Sequence, residues 1–403
     1  MFKSPRSKVA AASAAVAASL VFHSTADADL FGVTVDAPGL LPVTVTGDSL
    51  FDLAENVIDS AGDFEQFEGT SFTGSLDYAN LSNAIIVSGD ALNPDAVRLQ
   101  IPSIGFDRIF DDEDEAEEFL QNEGADTLAR FIAVVNEQTL VGVTDGNPAA
   151  LTAILADDAF RNFGEFRNPF VGYTQGGDAT RLYGSAAVID TDVGEGILYE
   201  GAFSGAIGLT DHVGISLSIP GAVRDIEGSQ TFFVGAQLGV PIKFTPATGP
   251  DQPFLWQFTP YALASGGGSQ DQLAGGVVLG GGAVNLVGIK IGDLSITSGQ
   301  QAVGYGGTPI EVGDFRFETE VGQTLLRGSL QATYGGTGSA AYITGGVAYT
   351  RFLDDAAVDD YVSPLAGIGL KFGRGNVLRV GYRGDIGDGF DMHRGELELR
   401  FSF

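Results

Sequence analysis

The chain has 403 residues, with 21 Lys and Arg against 52 Asp and Glu and a formal net charge of −31. Nucleic acid is not an expected partner, because phosphate binding relies on clustered Lys and Arg. The absence of cysteine excludes disulfides, thiolate metal sites and thiol nucleophiles, while 58 glycines and 28 phenylalanines suit packed strands and turns, not disorder.

Residues 1–28 read as a secretory signal peptide. Lys3, Arg6 and Lys8 precede an apolar run from Val9 to Phe22, and Ala26-Asp27-Ala28 places small residues at the spacing a signal peptidase reads. The run is too short for a membrane helix, which needs about 20 apolar residues. No comparable run follows, so only a closed barrel would insert the remainder into a membrane.

Residues 29–168 are expected to form a small α+β domain. Leu50, Leu53, Ala54, Val57 and Ile58 recur at helical spacing, and so do Leu128, Phe131, Ile132 and Val135. A third helix opens at Asn147-Pro148, with Asn147 as N-cap, Pro148 at the first helical position, and Leu151, Ile154 and Leu155 on one face. Between the helices, 84–88 and 97–104 read as strands. The acidic run from Asp111 to Glu118 lacks the glycine of a calcium loop and reads as a solvated helix start, where carboxylates favour the dipole.

From 169 to 403 the apolar period becomes two. Phe232, Val234, Ala236, Leu238, Val240, Ile242 and Phe244 oppose Thr231, Gly235, Gln237, Gly239 and Lys243; Val213, Ile215, Leu217 and Ile219 oppose Gly214, Ser216 and Ser218. Strand starts are expected near Arg181, Gly196, Val213, Thr231, Leu255, Leu273, Val287, Ile310, Gln323, Ala341, Pro364, Asn376 and His393. The weakest division is at Gly322, where either a bulge or a tight hairpin fits, and a bulge leaves 12 strands, an even count of the kind bacterial barrels favour. An even count puts the Gly373-Arg374-Gly375 turn at the periplasmic end and 353–361 and 385–391 in external loops.

The polar faces carry Lys243, Lys290, Arg316, Glu318, Glu320, Arg327, Lys371, Arg379, Arg383, Glu396, Glu398 and Arg400, which are expected to line a lumen. Aromatic residues near the strand ends (Phe254, Trp256, Phe258, Tyr261, Phe315, Phe317, Tyr334, Tyr349, Phe352, Phe372, Tyr382, Phe401 and Phe403) have the placement of interfacial girdles. Gly266-Gly267-Gly268 and Gly280-Gly281-Gly282 lack the Lys-Ser or Lys-Thr of a phosphate loop and read as turns, bulges or places of close approach to a plug. Beyond the signal peptide only His212 and His393 could serve acid–base chemistry, and neither sits in a hydrolase-like segment, so no catalytic, metal or cofactor site is expected.

The last strand, Gly395 to Phe403, alternates Leu397, Leu399, Phe401 and Phe403 with Glu396, Glu398, Arg400 and Ser402. It resembles the C-terminal assembly signal of Gram-negative outer-membrane β-barrels. The whole layout of signal peptide, N-terminal segment, helix and C-terminal barrel is similar to that of autotransporters, although 29–168 is short and not the repetitive β-helix of a typical passenger. The resemblance implies an all-β transmembrane barrel after a small α+β domain, set in the outer membrane, contacting its lipid and assembled by periplasmic chaperones and the barrel-assembly machinery. The helix from Asn147 to Phe163, with Arg161 near its end and Arg167 after it, is the piece expected to enter the lumen. The functions implied are an autotransporter-like translocator or surface-display protein, a porin-like channel with a plug or periplasmic N-terminal domain, or an outer-membrane hydrolase.

Overall fold

A computed structural model describes residues 30–402 except 68–69, 80, 113–114, 117, 120–123, 166–177, 246–252, 270, 272–273, 309, 313–314, 318–321, 336–338 and 374–375. The signal peptide, Arg167, Glu318, Glu320 and Phe403 therefore lie outside the described residues.

Twelve long strands close into an antiparallel barrel: β7 (Ala179–Thr191), β8 (Gly194–Gly208), β9 (Gly214–Ile226), β10 (Ser229–Gly239), β12 (Phe254–Ser269), β13 (Ala274–Ile291), β14 (Leu294–Thr308), β17 (Gly322–Tyr334), β18 (Ala341–Phe352), β19 (Asp360–Phe372), β20 (Asn376–Gly387) and β21 (Phe390–Ser402). A short β11 (Ile242–Lys243) continues along β12 after Pro241 interrupts the ladder. The first and last strands seal the barrel, pairing from Ala179↔Ser402 to Thr191↔Phe390. Closure leaves no edge, so the ladders satisfy the main-chain polar groups of every strand.

The count of 12 arises differently from the bulge expected at Gly322. β13 runs through Ile291, so β14 starts at Leu294 and not near Val287. The Ile310 candidate contributes only a two-stranded ribbon, β15 (Ile310–Val312) with β16 (Phe315–Phe317), outside the barrel sheet. His393 lies inside β21 and Asp385 inside β20, not before a strand or in a loop.

Which face is inside decides the environment. Phe232, Val234 and Leu238 are 56 %, 63 % and 52 % exposed, while Arg181 and Arg224 are 0 % exposed. A water-soluble sandwich would show the reverse. Exposed apolar side chains occur on the outward faces of all twelve long strands, as a hydrocarbon environment requires. Trp256, Tyr334, Phe372 and Tyr382 belong to it, but Tyr261 and Phe352 point inward and pack on Phe163 and Tyr361 respectively.

The N-terminal unit holds a six-stranded antiparallel sheet in the order β2-β1-β3-β4-β5-β6: β1 (Phe31–Asp36), β2 (Val43–Gly47), β3 (Phe72–Tyr78), β4 (Leu81–Asp90), β5 (Asn93–Ile101) and β6 (Phe106–Phe110). The sequence reading found only two of these six, β4 and β5. Helix α1 (Leu50–Asp59) is capped by Ser49, whose hydroxyl accepts from the Asp52 amide at 3.0 Å. A single turn α2 (Ala61–Phe64) follows, and α3 (Gly124–Gln138) sets Phe131 against the buried Tyr78 ring, itself edge-on to Phe31. In the acidic run, Asp112 accepts from the Glu115 amide at 2.8 Å, which is helix capping; no metal-holding group occurs among the described residues.

Helix α4 (Leu151–Phe160) does not join this sheet. Its ten residues are all buried, and a π-helical turn (Arg161–Glu165) extends it. It starts at Leu151, so Pro148 is not at the first helical position: Asn147 is spent on a preceding turn, accepting from the Ala149 amide at 3.0 Å and donating to the Gly142 carbonyl at 2.9 Å.

Candidate functional site

Every residue from Thr139 to Gly164 is buried, because this segment fills the barrel interior. The helix within it is apolar or small on all sides except for Asp157 and Asp158, and such a helix is stable only when enclosed. Glycines on the inner wall give it room. A Cβ on Gly239 would stand 2.5 Å from the Phe163 ring, and one on Gly299 2.5 Å from the Phe160 ring. The Gly266 and Gly280 triplets are instead strand positions within the β12–β13 ladder.

Asp157 is the hub. Its Oδ1 accepts from Arg327 at 2.6 Å and from Arg383, and its Oδ2 from Arg394 at 3.1 Å and from Arg161, one helical turn on, at 2.9 Å. Three of these cations are on the wall, on β17, β20 and β21, and the fourth is on the plug itself. Asp158 accepts from Arg181 at 3.0 Å and from the Ser218 hydroxyl at 2.6 Å. Arg161 reaches Tyr183, Glu200 at 3.6 Å and Glu396 at 3.4 Å, with its guanidinium 3.9 Å from the Tyr183 ring centre. Around this centre the wall balances itself: Arg394 also meets Glu200 at 2.9 Å and Asp385, and Arg383 meets Asp385 at 3.0 Å. All these charges are at most 8 % exposed, so each must be paired to be tolerated.

The plug's main chain is held as well. Gln237, Gln301 and Gln257 donate their side-chain amides to the carbonyls of Leu155, Ala156 and Phe163 at 2.8, 2.9 and 2.9 Å. Arg224 donates to the carbonyls of Val141 and Gly142 at 2.8 and 2.9 Å, and Thr152 donates to Gln323 at 2.6 Å.

Of the charges expected in the lumen, Arg327, Arg379, Arg383, Glu396, Glu398 and Arg400 are buried on the inner wall, with Arg379 3.7 Å from Glu396 and Glu398 beside Arg400. Lys290 and Lys371 occupy half-buried inward positions at the ends of β13 and β19, whereas Lys243 is half-buried in β11 outside the twelve long strands. Arg316 falls in the β15–β16 ribbon, and its side chain lies outside the described residues. Sequence reasoning missed Asp157, Asp158, Arg181, Glu200, Arg224 and Arg394. The inward parity of β7, β9 and β21 carried the signal for the arginines. Leu397 is on the lipid side of β21, with Leu399 and Phe401 half-buried at positions of the same parity.

The two histidines are far apart in role and place. His212 sits in the β8–β9 turn with Nδ1 3.0 Å from the Lys243 carbonyl, while His393 is on the outer wall with Nδ1 2.7 Å from the Tyr382 hydroxyl.

The plug enters the barrel at one end and leaves at the other. Near its start, the Gly146 carbonyl accepts from Val358, in the β18–β19 connection, and Leu140 lies by Gly389, in the β20–β21 turn. Near its finish, Phe163 meets Gly239 and Gln257, at the end where β7 begins and β21 ends. The N-terminal sheet is accordingly at the first end, where Asp48 lies 3.7 Å from an ideal Cβ on Gly228 in the β9–β10 turn.

Asp157→Asn would leave three wall arginines facing a neutral amide. Breaking one side of a buried charge cluster costs about 3–5 kcal/mol. Amide exchange of Leu151–Phe160 is expected to accelerate on the order of 100-fold or more, with the barrel's β7–β21 amides unchanged. A pH effect is expected at Asp145, at the plug's entrance. Burial pushes its carboxyl up to about 7, with Glu137 adding to the rise and the Thr144 hydroxyl opposing it. The folded form thus keeps the proton that a released segment loses near pH 4, so the packed entrance is most stable below pH 4 and weakens as pH rises to 7. At 1.36 kcal/mol per pKa unit the full effect is on the order of 4 kcal/mol. Protease accessibility of 139–150 should rise across that window, and Asp145→Asn should flatten the dependence.

No family model matches the chain, and no curated protein matches it. Among solved structures, the translocator domain of the autotransporter NalP from Neisseria meningitidis is similar at 14 % identity, covering 62 % of this chain and 97 % of that one with a TM-score of 0.42. The beta domain of the Bordetella autotransporter BrkA is similar at 14 % identity, covering 57 % and 100 %, TM-score 0.43. An outer-membrane channel from Pseudomonas putida is similar at 12 % identity, covering 58 % and 98 %, TM-score 0.46. With its closed twelve-stranded antiparallel wall, apolar outside and charged within, the chain is an outer-membrane-type β-barrel.

Proposed function

We propose that the chain is an autotransporter-like surface-display barrel whose lumen holds the segment that leads out to its N-terminal unit. One observation carries the reading: residues 139–165 run through the barrel from the hairpin end to the end where the first strand begins and the last one stops. A bacterial outer-membrane barrel of even strand count has both chain ends on one side, and we take that side as the periplasmic one. In that orientation, the sheet of residues 31–110 stands at the cell surface, tethered by the luminal helix. A periplasmic N-terminal domain would need the opposite course through the lumen.

A plugged channel is the second reading. It is favoured by the inner wall, which carries buried charges on β7–β9, β17, β20 and β21 and glutamine amides on β10, β12 and β14, and would hold water once the helix left. For the hydrolase reading, the two histidines offer little, since neither lies beside a serine nucleophile or a carboxylate among their hydrogen-bond partners. The terminal strand, with Leu397, Leu399 and Phe401 along its apolar face and Phe403 beyond, is proposed as the element that the assembly machinery reads.

Protease added to intact cells should cleave within residues 29–138 and leave the barrel whole. Protection of that region, together with a conductance in planar bilayers that appears when 139–165 is deleted, would instead establish the plugged channel. Deletion of Phe403 should lower the amount of heat-modifiable barrel in the outer membrane several-fold at equal synthesis; normal insertion would remove the assembly role.

A further inference from the structure

The outer wall is not uniform. Mid-strand outward positions elsewhere are occupied by side chains such as Phe203, Leu217, Val234 and Val380, all exposed and apolar. On β13 and β14 they include Asn285, Ser298 and Gln300. Trp256 Nε1 donates to Asn285 Oδ1 at 3.0 Å, Asn285 Nδ2 to Gln300 Oε1 at 2.6 Å, and Gln300 Nε2 to Ser298 Oγ at 2.6 Å. Strand parity places all four on the lipid side, since Val284, Leu286 and Gln301 beside them are buried inward.

The patch lies deep in the belt. Asn285 and Gln300 are register partners, each about six residues from the β13–β14 turn, a rise of roughly 15 Å for strands tilted by about 40° against a belt about 25 Å tall. Lipid tails supply no hydrogen-bond partner at that depth. The internal chain uses one hydrogen of each amide; among the described residues no acceptor takes the second hydrogen of Asn285 or Gln300, or the Ser298 hydroxyl hydrogen.

The same wall is hollow. Two adjoining depressions of about 500 and 360 Å³ share Gln300, Gly328 and Tyr349 in their lining, and the larger one sets the small Ala283 and Ala302 among Phe258, Leu326 and Tyr349. Small residues between ridges let a second membrane surface approach closely.

We propose that this wall is the contact face of a two-fold dimer of the barrel. The partner is identified by self-complementarity: amides and a hydroxyl each carry a donor and an acceptor, so a two-fold axis through the patch sets the donors of one copy against the acceptors of the other. A lipid head group is a poorer match. It stays at the interface, and the cation at the rim, Arg351, already faces Asp360 across the β18–β19 pair. Five strands spaced about 4.8 Å apart over a belt of about 25 Å present roughly 600 Å² per copy, or about 1,200 Å² in all, enough for a specific interface. The inference rests on the barrel and its lipid face, not on what the lumen does.

The chain has no cysteine, so single cysteines report proximity without background. In native outer membranes, Ser298→Cys is expected to give at least tenfold more oxidative cross-link at twice the chain mass than Phe203→Cys on the far wall. Ala302→Cys serves as a second probe should Ser298→Cys fold poorly. Adding Asn285→Leu with Gln300→Leu should cut the cross-link at least fivefold while heat-modifiable mobility shows the barrel still folded. Equal cross-linking on both walls, an unchanged yield in the double leucine variant, or an adduct of a different mass would overturn the dimer.

Discussion

The structure depends on a carboxylate removed from water. Asp157 cannot be enclosed in the barrel without cations, and Arg327, Arg383 and Arg394 cannot face a dry helix without an anion. Each side is the condition for burying the other. The helix needs this because its apolar surface has no strong reason to prefer the lumen: hydrophobic contact is not directional and would hold it at many rotations and depths. One buried hub with ligands from three separate strands selects a single placement.

The same charges make the arrangement reversible. An apolar inner wall that lost its helix would be left with a large dry cavity. This wall carries compensating pairs of its own, Arg383 with Asp385 and Arg394 with Glu200, so water could replace the helix without stranding an ion. Gln237, Gln257 and Gln301 add to that property: amides that now donate to helix carbonyls would donate equally to water. On the proposed function, a lumen of this kind would accept a chain segment and tolerate its passage, which an oily core of equal stability would not.

How far the sequence revealed this depends on the distance over which each signal acts. The alternation of Phe232, Val234 and Leu238 with Thr231, Gly235 and Gln237 is local, and it identified the two faces, the closed sheet and the inward arginines of β17 and β20. Strand ends were less legible where glycine-rich ladders continue past a plausible turn, as β13 does beyond Val287. The helix was recognised from Leu151, Ile154 and Leu155, and its place in the lumen was expected, but Asp157 and Asp158 went unremarked. Two partners of Asp157 lie 170 residues away in Arg327 and 237 away in Arg394, those of Asp158 lie 23 and 60 away in Arg181 and Ser218, and no periodicity reports contacts of such spans. Asn147-Pro148 misled because the same pair that starts helices also closes turns, and here the Asn147 side chain bonds to Gly142 and Ala149.

The inner and outer walls follow opposite rules for a common reason. Inside, a charge is acceptable when another protein charge answers it; outside, only hydrocarbon is present, so even a neutral amide is an anomaly. Asn285, Ser298 and Gln300 are therefore informative in a way that the far more numerous luminal charges are not. The luminal groups are explained by the helix they hold and by their pairing with one another. The outer ones bond chiefly to each other, which lowers the cost of their exposure without removing it, since a chain of donors and acceptors always ends on an unanswered hydrogen. A surface selected only for lipid contact would lose nothing by replacing them with leucine and valine, as the other strands have done. Their position in the lining of the two depressions ties the polarity to the shape, and a second surface that is both close-fitting and polar accounts for the two features together.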